Sequence, residues 1–288
     1  MKIKLRKITH DNLPQKLQEI DDCPEHLYIE GNLPDPDTHI YLGIVGPRKY
    51  SEYGKITCEK IISGLAGQPF VIVSGLALGI DSIAHTTALE TGLPTIAVPG
   101  SGLSPSVLYP KTNFHLARNI VDAGGALLSE FEPEFKAAPW SFPKRNRIVA
   151  GLCDAVLVIE ASEKSGALIT AKFAIQYNRD VLSVPGSIYS DTSAGSNNLI
   201  AKGAYVITSA QDIIQHFNLD KHSKPEQSQL FESFTEKEIA VLRLLVEPKT
   251  KSYIYENSGL EIADCSITLS TLELKGVIKE QGGRIYRY

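Results

Sequence analysis

The chain has 288 residues, of which 43% are apolar and 22% are charged, and its formal net charge is −4. This is the composition of an ordinary globular protein that is long enough to bury a sizeable core. A sequence pI near 6.0 excludes overall basicity as a basis for nucleic-acid binding, so such binding would need a local patch of cations.

Residues 1–38 are predicted to form a short lead-in to the main fold. Leu13, Leu17 and Ile20 have the spacing of an amphipathic helix, and the segment then ends in the turn-forming residues 34–37.

Between residues 39 and 217, short apolar runs alternate with helical segments. The runs read IYLGIVG, FVIVSG, TIAVPG, GALLSE, DAVLVIEA, DVLSVPG and AYVIT. Continuous runs of this kind are typical of parallel strands that are covered by helices on both faces. The sequence therefore predicts an α/β fold with an extended, Rossmann-like, doubly wound and mainly parallel sheet.

Glycine directly follows several of the predicted strands. The positions are Gly46, Gly75, Gly100 and Gly186. Ligands of a doubly wound sheet bind where the strands end, and glycine lets backbone N–H groups approach a ligand closely. We therefore expect an anionic ligand at the carboxyl edge of the sheet.

The periodic pattern stops near residue 218, and the polar segment 218–229 is predicted to be a linker. Residues 230–288 predict three helices and a β-hairpin, the order of a winged-helix domain, with a capping box of Thr235 and Glu238 at its first helix. This segment contains eight Lys or Arg and nine Asp or Glu residues. We therefore expect it to dock a partner or to bind duplex DNA only weakly.

Candidate ligand-binding residues follow the first two apolar runs. Arg48 lies in the turn after Gly46, and Ser51 is a predicted N-cap, so an arginine beside helix N–H groups could hold a phosphate. A solvated turn arginine is the alternative. Gly75 and Gly79 bracket the second loop, which lacks the GxGxxG spacing of a dinucleotide site.

Two later loops offer further polar groups. Lys111 and Phe114 could hold a phosphate and stack a base, although Phe114 fits the core equally well. Ser165, Gly166 and Thr170 lie at the start of a predicted helix, where phosphate binding and plain capping are both compatible with these residues.

Three titratable residues in these segments could have either a catalytic or a structural role. Asp81 can cap the helix that it begins, and we expect His85 to be a hydrogen-bonded structural residue. Glu160 follows a strand, but no paired base, metal-ligand cluster or Ser/His/Asp spacing accompanies it. We therefore predict no catalytic residue, no metal and no cofactor.

The segment FPKRNRIVAG, residues 142–151, concentrates positive charge in an acidic chain. Lys144, Arg145 and Arg147, with Asn146 between them, occupy the predicted first turn of a helix. The N-terminal end of a helix dipole is already positive, so a bound polyanion would offset an arrangement that is otherwise unfavourable. A solvated basic turn is the alternative.

Taken in order, these segments resemble the DNA-processing protein family often called DprA or Smf. The resemblance extends over roughly residues 14–212 and rests on LYIEGNLP, VGPRKYSEYG, VSGLALGIDSIAH, IAVPGSGL, YPKTN, LLSEFEP, FPKRNRIVAGL, VIEASEKSGALITAKFA, VPGSI and GSNNLIAKGA. Arg48 matches the arginine of the family's G-S-R loop, with Pro47 in place of the serine. Lys111 matches the lysine of Y-P-K, and FPKRNRI matches the family's basic helix start.

The resemblance implies a Rossmann-like core that binds single-stranded DNA, protects incoming DNA and helps to load the RecA recombinase in natural transformation or recombination. It also implies a homodimer and no enzymatic activity. The residues that we assign to single-stranded DNA binding are Gly46, Arg48, Ser51, Gly75, Gly79, Lys111, Phe114, Lys144, Arg145, Asn146, Arg147, Ser165, Gly166 and Thr170.

Two other functions fit parts of the sequence. A nucleotide-processing enzyme of the lysine-decarboxylase-like phosphoribohydrolase group would share the predicted core. Its P-G-G-x-G-T-x-x-E block is absent, however, and the corresponding loop reads EASEKSGALITA. A double-stranded DNA regulator would act through the winged helix, whose acidic balance argues against it.

The cellular setting is predicted from cysteines and apolar runs. Cys23, Cys58, Cys153 and Cys265 form no CxxC pair, so neither a structural zinc site nor a disulfide framework is expected. The sequence shows no signal-like apolar region at its start and no run of membrane-spanning length. We therefore expect a cytoplasmic protein that does not associate with a membrane.

Overall fold

The computed structural model describes residues 5–219, 234–245 and 247–287. The chain divides into two compact units, Met1–Leu219 and Asp220–Tyr288. From residue 220 onward the predicted linker lies outside the described residues, as do residues 230–233 at the start of the predicted winged-helix domain.

A sheet of nine strands, counted over residues 5–219, forms the centre of the first unit. The strands are β1 (Arg6–Thr9), β2 (His26–Gly31), β3 (Ile40–Val45), β4 (Phe70–Ser74), β5 (Thr95–Ala97), β6 (Ala126–Ser129), β7 (Ala155–Val158), β8 (Asp180–Ser183) and β9 (Tyr205–Val206). They lie side by side in the order β1-β2-β6-β5-β4-β3-β7-β8-β9.

The strands from β3 to β9 are parallel to one another. The chain runs outward from β3 through β4 and β5 to β6, then crosses to the other side of β3 and continues through β7, β8 and β9. The strand order therefore reverses between β3 and β7. The predicted α/β, doubly wound and mainly parallel fold is confirmed.

The predicted lead-in, residues 1–38, contributes to this sheet. β2 pairs with β6 and β1 pairs with β2, both antiparallel, so that Ile29 lies opposite Leu128. Leu13 and Leu17 are buried in the main core, although the helix around them, α1, spans only Gln15–Gln18. The lead-in is thus part of the first unit rather than a separate segment before it.

Helices cover both faces of the sheet. They are α1, α2 (Glu52–Gly64), α3 (Ile80–Glu90), α4 (Phe114–Asp122), α5 (Ser141–Leu152), α6 (Gly166–Gln176), α7 (Ala194–Ala201) and α8 (Ala210–His216). Side chains of α5 and α6 pack on one face, and those of α2, α3 and α8 on the other. Along β7, Val156 and Val158 face the first layer, whereas Ala155 and Leu157 face the second. Because helices cover both faces of the sheet, we expect a ligand to bind at the edges that the loops form.

The second unit has the element order of a winged helix. Its elements are α9 (Glu236–Leu244), β10 (Lys249–Thr250), α10 (Lys251–Asn257), α11 (Ile262–Leu274), β11 (Ile278–Gln281) and β12 (Arg284–Arg287). Among the described residues, its strands form a three-stranded antiparallel sheet in the order β10-β12-β11. The predicted capping box is present, because the Thr235 hydroxyl accepts from the N–H of Glu238 and the Glu238 carboxylate accepts from the N–H of Thr235.

Candidate nucleic-acid interface

A cleft of about 400 Å³ opens at the carboxyl edge of the large sheet, where the strand order reverses between β3 and β7. Open α/β sheets bind their ligands at such a reversal, because the loops on its two sides diverge. The structure brings together there the predicted residues Gly46, Arg48, Gly75, Arg145, Asn146, Ser165, Gly166 and Thr170. This cleft is therefore the candidate binding site.

Arg145 forms the floor of the cleft and is buried. Its Nη1 donates to the carbonyl oxygens of Gly75 and Val98, and its Nε donates to Asn146 Oδ1 at 3.1 Å. Burial lowers the pKa of Arg145 to about 10, against the raising effect of the nearby Asp81 charge. The guanidinium therefore stays protonated at neutral pH and fixes a positive charge under the cleft.

Asp81 balances this charge from the helix that follows β4. Its carboxylate accepts from the N–H groups of Gly75 and Ala77 at 3.1 and 3.3 Å. Burial raises the pKa of Asp81, and the charge of Arg145 acts in the opposite direction. Asp81 thus closes the preceding loop and does not cap α3 as predicted, because the N-cap position of that helix is Gly79.

The loops after β3 and β4 touch each other at Gly79. Its φ of +87° lies in the region that favours glycine, and a Cβ at this position would overlap the carbonyl oxygens of Pro47 and Arg48. From the turn before α4, Asn113 Nδ2 donates to the carbonyl oxygen of Leu76 at 2.8 Å and braces the same loop. Gly79 therefore does not line the cleft but fixes the backbone of Arg48 beside it.

The N-terminus of α6 forms another wall of the cleft. Ser165 is the N-cap, with its Oγ accepting from the N–H of Ala167 at 3.3 Å, and Gly166 is exposed. Thr170 is buried one turn inside the helix. The positive end of a helix dipole favours an anion. This wall therefore presents positive potential to the cleft above Arg145.

Glu160, in contrast, already occupies the N-terminus of α2. This buried carboxylate accepts hydrogen bonds from Ser51 N at 3.0 Å, from Ser51 Oγ at 2.6 Å and from Thr192 Oγ1 at 2.9 Å. Gly54 permits the approach, because a Cβ there would overlap Glu160 Oε2. Ser51 caps α2 as predicted, with its Oγ accepting from the N–H of Gly54. The polar groups of Ser51 are therefore engaged within the protein. Glu160 occupies the N-terminus of α2, where free N–H groups were predicted to hold a phosphate.

Aromatic rings stand beside the cleft at the ends of β4 and β5. The Arg48 guanidinium lies 4.8 Å from the centroid of the Phe142 ring, and the Tyr109 ring lies 5.8 Å from the same centroid. These three residues also line a second, smaller recess. Tyr109 is 45% exposed and was not singled out from the sequence, although it precedes Pro110 of the YPK motif. A cation held against a ring can bind a phosphate while exposed ring faces stack bases.

Lys144 and Arg147 do not line the cleft, and both lie against Glu130, which directly follows β6. Lys144 Nζ is 3.5 Å from Glu130 Oε2, and Arg147 Nη2 contacts Glu130 Oε1. Arg147 Nε is also 3.7 Å from Asp22 Oδ2, and 7% of its side chain is exposed. Of the three cations in this segment, only Arg145 reaches the cleft. Carboxylates of the protein itself thus offset the charges of Lys144 and Arg147. This is the role that a bound polyanion was expected to have.

Lys111 and Phe114 have different surroundings. Phe114 packs against the apolar cluster of α4, β5 and β6, which is the core alternative. Lys111 is exposed in the turn after Pro110, which borders the smaller recess. Of these two residues, Lys111 alone is placed to meet a ligand at this edge.

Two further lysines belong to the same edge and were not singled out from the sequence. Lys49 is exposed in the loop after β3, and Lys164 is exposed in the loop after β7. The sequence gives no separate signal for either lysine. The clearer signals belong to their neighbours, since Lys49 follows Arg48 and Lys164 precedes Ser165. No described carboxylate lies within the ion-pair distance of 4.0 Å from Arg48, Lys49, Lys111 or Lys164.

His85 lies in the core behind this edge. Its Nδ1 is 2.7 Å from Thr95 Oγ1, and burial lowers its pKa to about 3. The imidazole is therefore neutral and structural, as predicted. In the part of the chain that the structure describes, no group of three or more His, Cys, Asp or Glu side chains could hold a metal ion. No helix of the described residues has the length and apolar character needed to cross a membrane.

Known proteins match most of the chain. The family model described as DNA recombination-mediator protein A matches residues 4–218. The DNA processing protein DprA of Streptococcus pneumoniae is 44% identical over 210 residues, which are 73% of this chain and 73% of that protein. Protein Smf of Escherichia coli is 34% identical over 282 residues, which are 95% of this chain and 74% of that protein.

Two solved structures share the fold of most of this chain. The X-ray structure of DprA from Streptococcus pneumoniae has a TM-score of 0.68 at 42% identity and covers 74% of both chains. The DNA processing protein A of Helicobacter pylori has a TM-score of 0.66 at 33% identity, over 77% of this chain and 100% of that chain. The Helicobacter pylori structure describes the single-stranded DNA binding mode of that protein.

Proposed function

The chain belongs to the DNA recombination-mediator protein A family, and we propose that it binds single-stranded DNA in the cleft between β3 and β7. The resemblance to the DprA and Smf family that the sequence motifs indicate is confirmed. In this proposal the protein protects incoming DNA and helps to load RecA, as a cytoplasmic homodimer without enzymatic activity. The single-strand binding of the Helicobacter pylori relative supports the DNA step. The RecA step and the dimer are supported by the family resemblance alone.

The observation that carries the proposal is a set of cations that have no carboxylate partner among the described residues, at one edge of a chain whose net charge is −4. Arg48, Lys49, Lys111 and Lys164 are exposed on loops at the carboxyl edge, and Arg145 lies in the cleft floor. A cation without a carboxylate partner is available to neutralise a phosphate. The counterions released in this way supply most of the affinity of non-specific nucleic-acid binding.

The rings beside Arg48 favour a single strand over a duplex. Phe142 lies next to the cation, Tyr109 lies next to Phe142, and Tyr109 leaves a large part of its ring open to solvent. Bases of a duplex are stacked on one another, whereas the bases of a single strand are free to stack on protein rings. Because every base has a π face, we expect little preference for sequence.

The position of Glu160 argues against the nucleotide-processing alternative. Its carboxylate is buried and bonded to Ser51 and Thr192 at the helix terminus where doubly wound nucleotide-binding folds hold a phosphate. A general acid or base must come within hydrogen-bond reach of its substrate, and this carboxylate is enclosed. Incubation with nucleoside monophosphates should therefore release no free base. Steady release of base would reject the binding-protein proposal.

We propose that the second unit does not bind duplex DNA through α11. In helix-turn-helix proteins the second helix of the motif enters the major groove, and α11 holds that place in the element order. Its sequence has no Lys or Arg and includes Asp264 and Glu273. A chain that ends at residue 219 should therefore bind duplex oligonucleotides as the full chain does. Loss of duplex binding in the shorter chain would contradict this.

A gel-shift series tests the main proposal. We expect the wild-type protein to bind single-stranded oligonucleotides better than duplexes of the same sequence, and Arg48→Ala to weaken single-strand binding for every sequence tested. Lys60→Ala is the matched control, because Lys60 is an exposed lysine on α2 that lies about 13 Å along the helix from Ser51. Equal affinity for the two forms of DNA, or an Arg48→Ala protein that binds like wild type, would contradict the assignment.

A further inference from the structure

Trp140, the single tryptophan of the sequence, is exposed but held in a fixed position. Its exposed fraction is 56%, and its ring makes edge-to-face contacts with Phe131 and Phe135 at centroid distances of 5.7 and 5.5 Å. Phe131 and Phe135 are stacked on each other at 4.5 Å. A single exposed apolar side chain is common on protein surfaces. An exposed indole on a support of two stacked rings is preorganised to receive a flat partner.

The indole packs on the loop that follows β6, and its backbone is close to that of the cleft residue Phe142. Trp140 precedes Phe142 by two residues, so their α-carbons are at most about 7 Å apart. Ser141 between them is anchored, because its Oγ donates to the carbonyl oxygen of Gly100 in the loop after β5 at 2.6 Å. Phe142 contacts Arg48, whereas Trp140 contacts Phe131, which follows β6. The two aromatic residues thus connect the Arg48 loop with the end of β6.

The distance along this edge suits one short segment of a polynucleotide. β3, β4, β5 and β6 are consecutive neighbours in the sheet, so the loops after β3 and β6 are separated by three strand spacings, or about 14 Å. A strand whose phosphate contacts Arg48 would pass Phe142 and then reach Trp140. These three side chains therefore define a direction for the strand across the carboxyl edge.

Charges of both signs surround Trp140, and this favours contact with a base over contact with a phosphate. Lys136 and Lys144 are exposed near it, but Glu132 and Glu134 are exposed on the same loop. Because charges of both signs are present, a phosphate gains little attraction at this point. We propose that Trp140 stacks on a base of the single strand that the cleft holds, and this proposal rests on the proposed function above. The stacked base adds affinity that is independent of salt, unlike the contact at Arg48.

Fluorescence tests the proposal directly, because all tryptophan emission comes from this site. Oligothymidylate is titrated into the wild-type protein while tryptophan emission and the anisotropy of a labelled oligonucleotide are both recorded. We expect quenching with the same midpoint as binding. Binding without any change in emission would overturn the stacking proposal and leave the proposed function intact. Absence of binding would instead overturn the proposed function and the stacking with it.

Variants give a second, independent readout. Trp140→Ala should weaken binding by about 5- to 150-fold, the effect of losing one stacked base, while the dependence on salt stays that of wild type. Trp140→Phe keeps a ring and should recover most of the affinity. Tyr205→Ala removes an exposed ring from β9, the outermost strand on the other side of the sheet from β6, and is the matched control, expected to bind like wild type. Wild-type affinity in a Trp140→Ala protein with normal thermal unfolding would overturn the proposal.

Discussion

Replacing Arg48 with alanine should change the salt dependence of single-strand binding as well as its strength. Arg48 is exposed beside the cleft, its guanidinium lies 4.8 Å from the Phe142 ring centroid, and no described carboxylate is within ion-pair distance of it. Its charge is therefore free to exchange a solution counterion for a DNA phosphate. The alanine variant should lose the release of one counterion on binding.

The size of this effect follows from the number of cations at the carboxyl edge that have no described carboxylate partner. If Arg48, Lys49, Lys111 and Lys164 each neutralise one phosphate, the slope of log K against log salt should be about −2.8, which weakens binding about 50-fold between 50 and 200 mM salt. With three cations the slope is about −2.1 and the weakening about 18-fold. Arg48→Ala should thus reduce affinity about 8-fold at 50 mM salt and about 3-fold at 200 mM.

Anisotropy of a labelled oligothymidylate, measured at several salt concentrations, gives both slopes. Lys60→Ala should keep the wild-type slope, because Lys60 lies away from the carboxyl edge on α2. Lys144→Ala should keep most of it, because Lys144 Nζ already lies 3.5 Å from Glu130 Oε2. A wild-type slope in Arg48→Ala, or slopes near zero in all of these proteins, would refute the reasoning.

Three further outcomes concern the structure around the cleft. Glu130→Gln leaves the buried Arg147 guanidinium with a weaker partner and should lower the free energy of unfolding by about 3 kcal/mol in urea denaturation, whereas an unchanged value would mean that Asp22 suffices. Gly79→Ala should lower Tm more than Gly92→Ala does, because both residues have positive φ but only at Gly79 would the new methyl group overlap neighbouring atoms, and equal losses would contradict this. Burial lowers the pKa of His85 from 6.5 to about 3, so the unfolded chain takes up a proton first and stability should fall from about pH 6.5 toward pH 3, by up to about 1.4 kcal/mol per pH unit. His85→Gln should lack this part of the pH dependence in urea titrations at pH 7 and pH 5, and an unaltered profile would exclude His85 as its source.

The parallel part of the sheet could be predicted because each buried strand is a continuous apolar run between turn residues. β7, with the sequence AVLV, is buried at every position. β1 and β2 could not be predicted in the same way. β1 has the sequence RKIT and is largely exposed, since an antiparallel strand at an edge needs no apolar run.

The cleft itself could be predicted where a residue lies between a parallel strand and the helix that follows it. Arg48, Gly75 and Ser165 were found in this way, because the ends of parallel strands meet at one edge. The ion pair between Arg147 and Glu130 could not be predicted, because the two residues are 17 positions apart. The order of charges along a sequence does not show which of them meet in the fold. For the same reason, a lysine such as Lys164 gains meaning only when its lack of a carboxylate partner is known.

Glu160 also bears on competition between DNA and small phosphorylated metabolites. A free nucleotide such as ATP resembles one unit of a polynucleotide and would seek the same kind of helix end. At α2 that end is filled by the protein's own carboxylate, held by Ser51 and Thr192, so a mononucleotide is left with the end of α6 and one or two of the remaining cations. A long polymer engages several of them at once, and each added contact raises the effective concentration for the next. Ligand length, rather than ligand abundance, then decides which molecule occupies the protein.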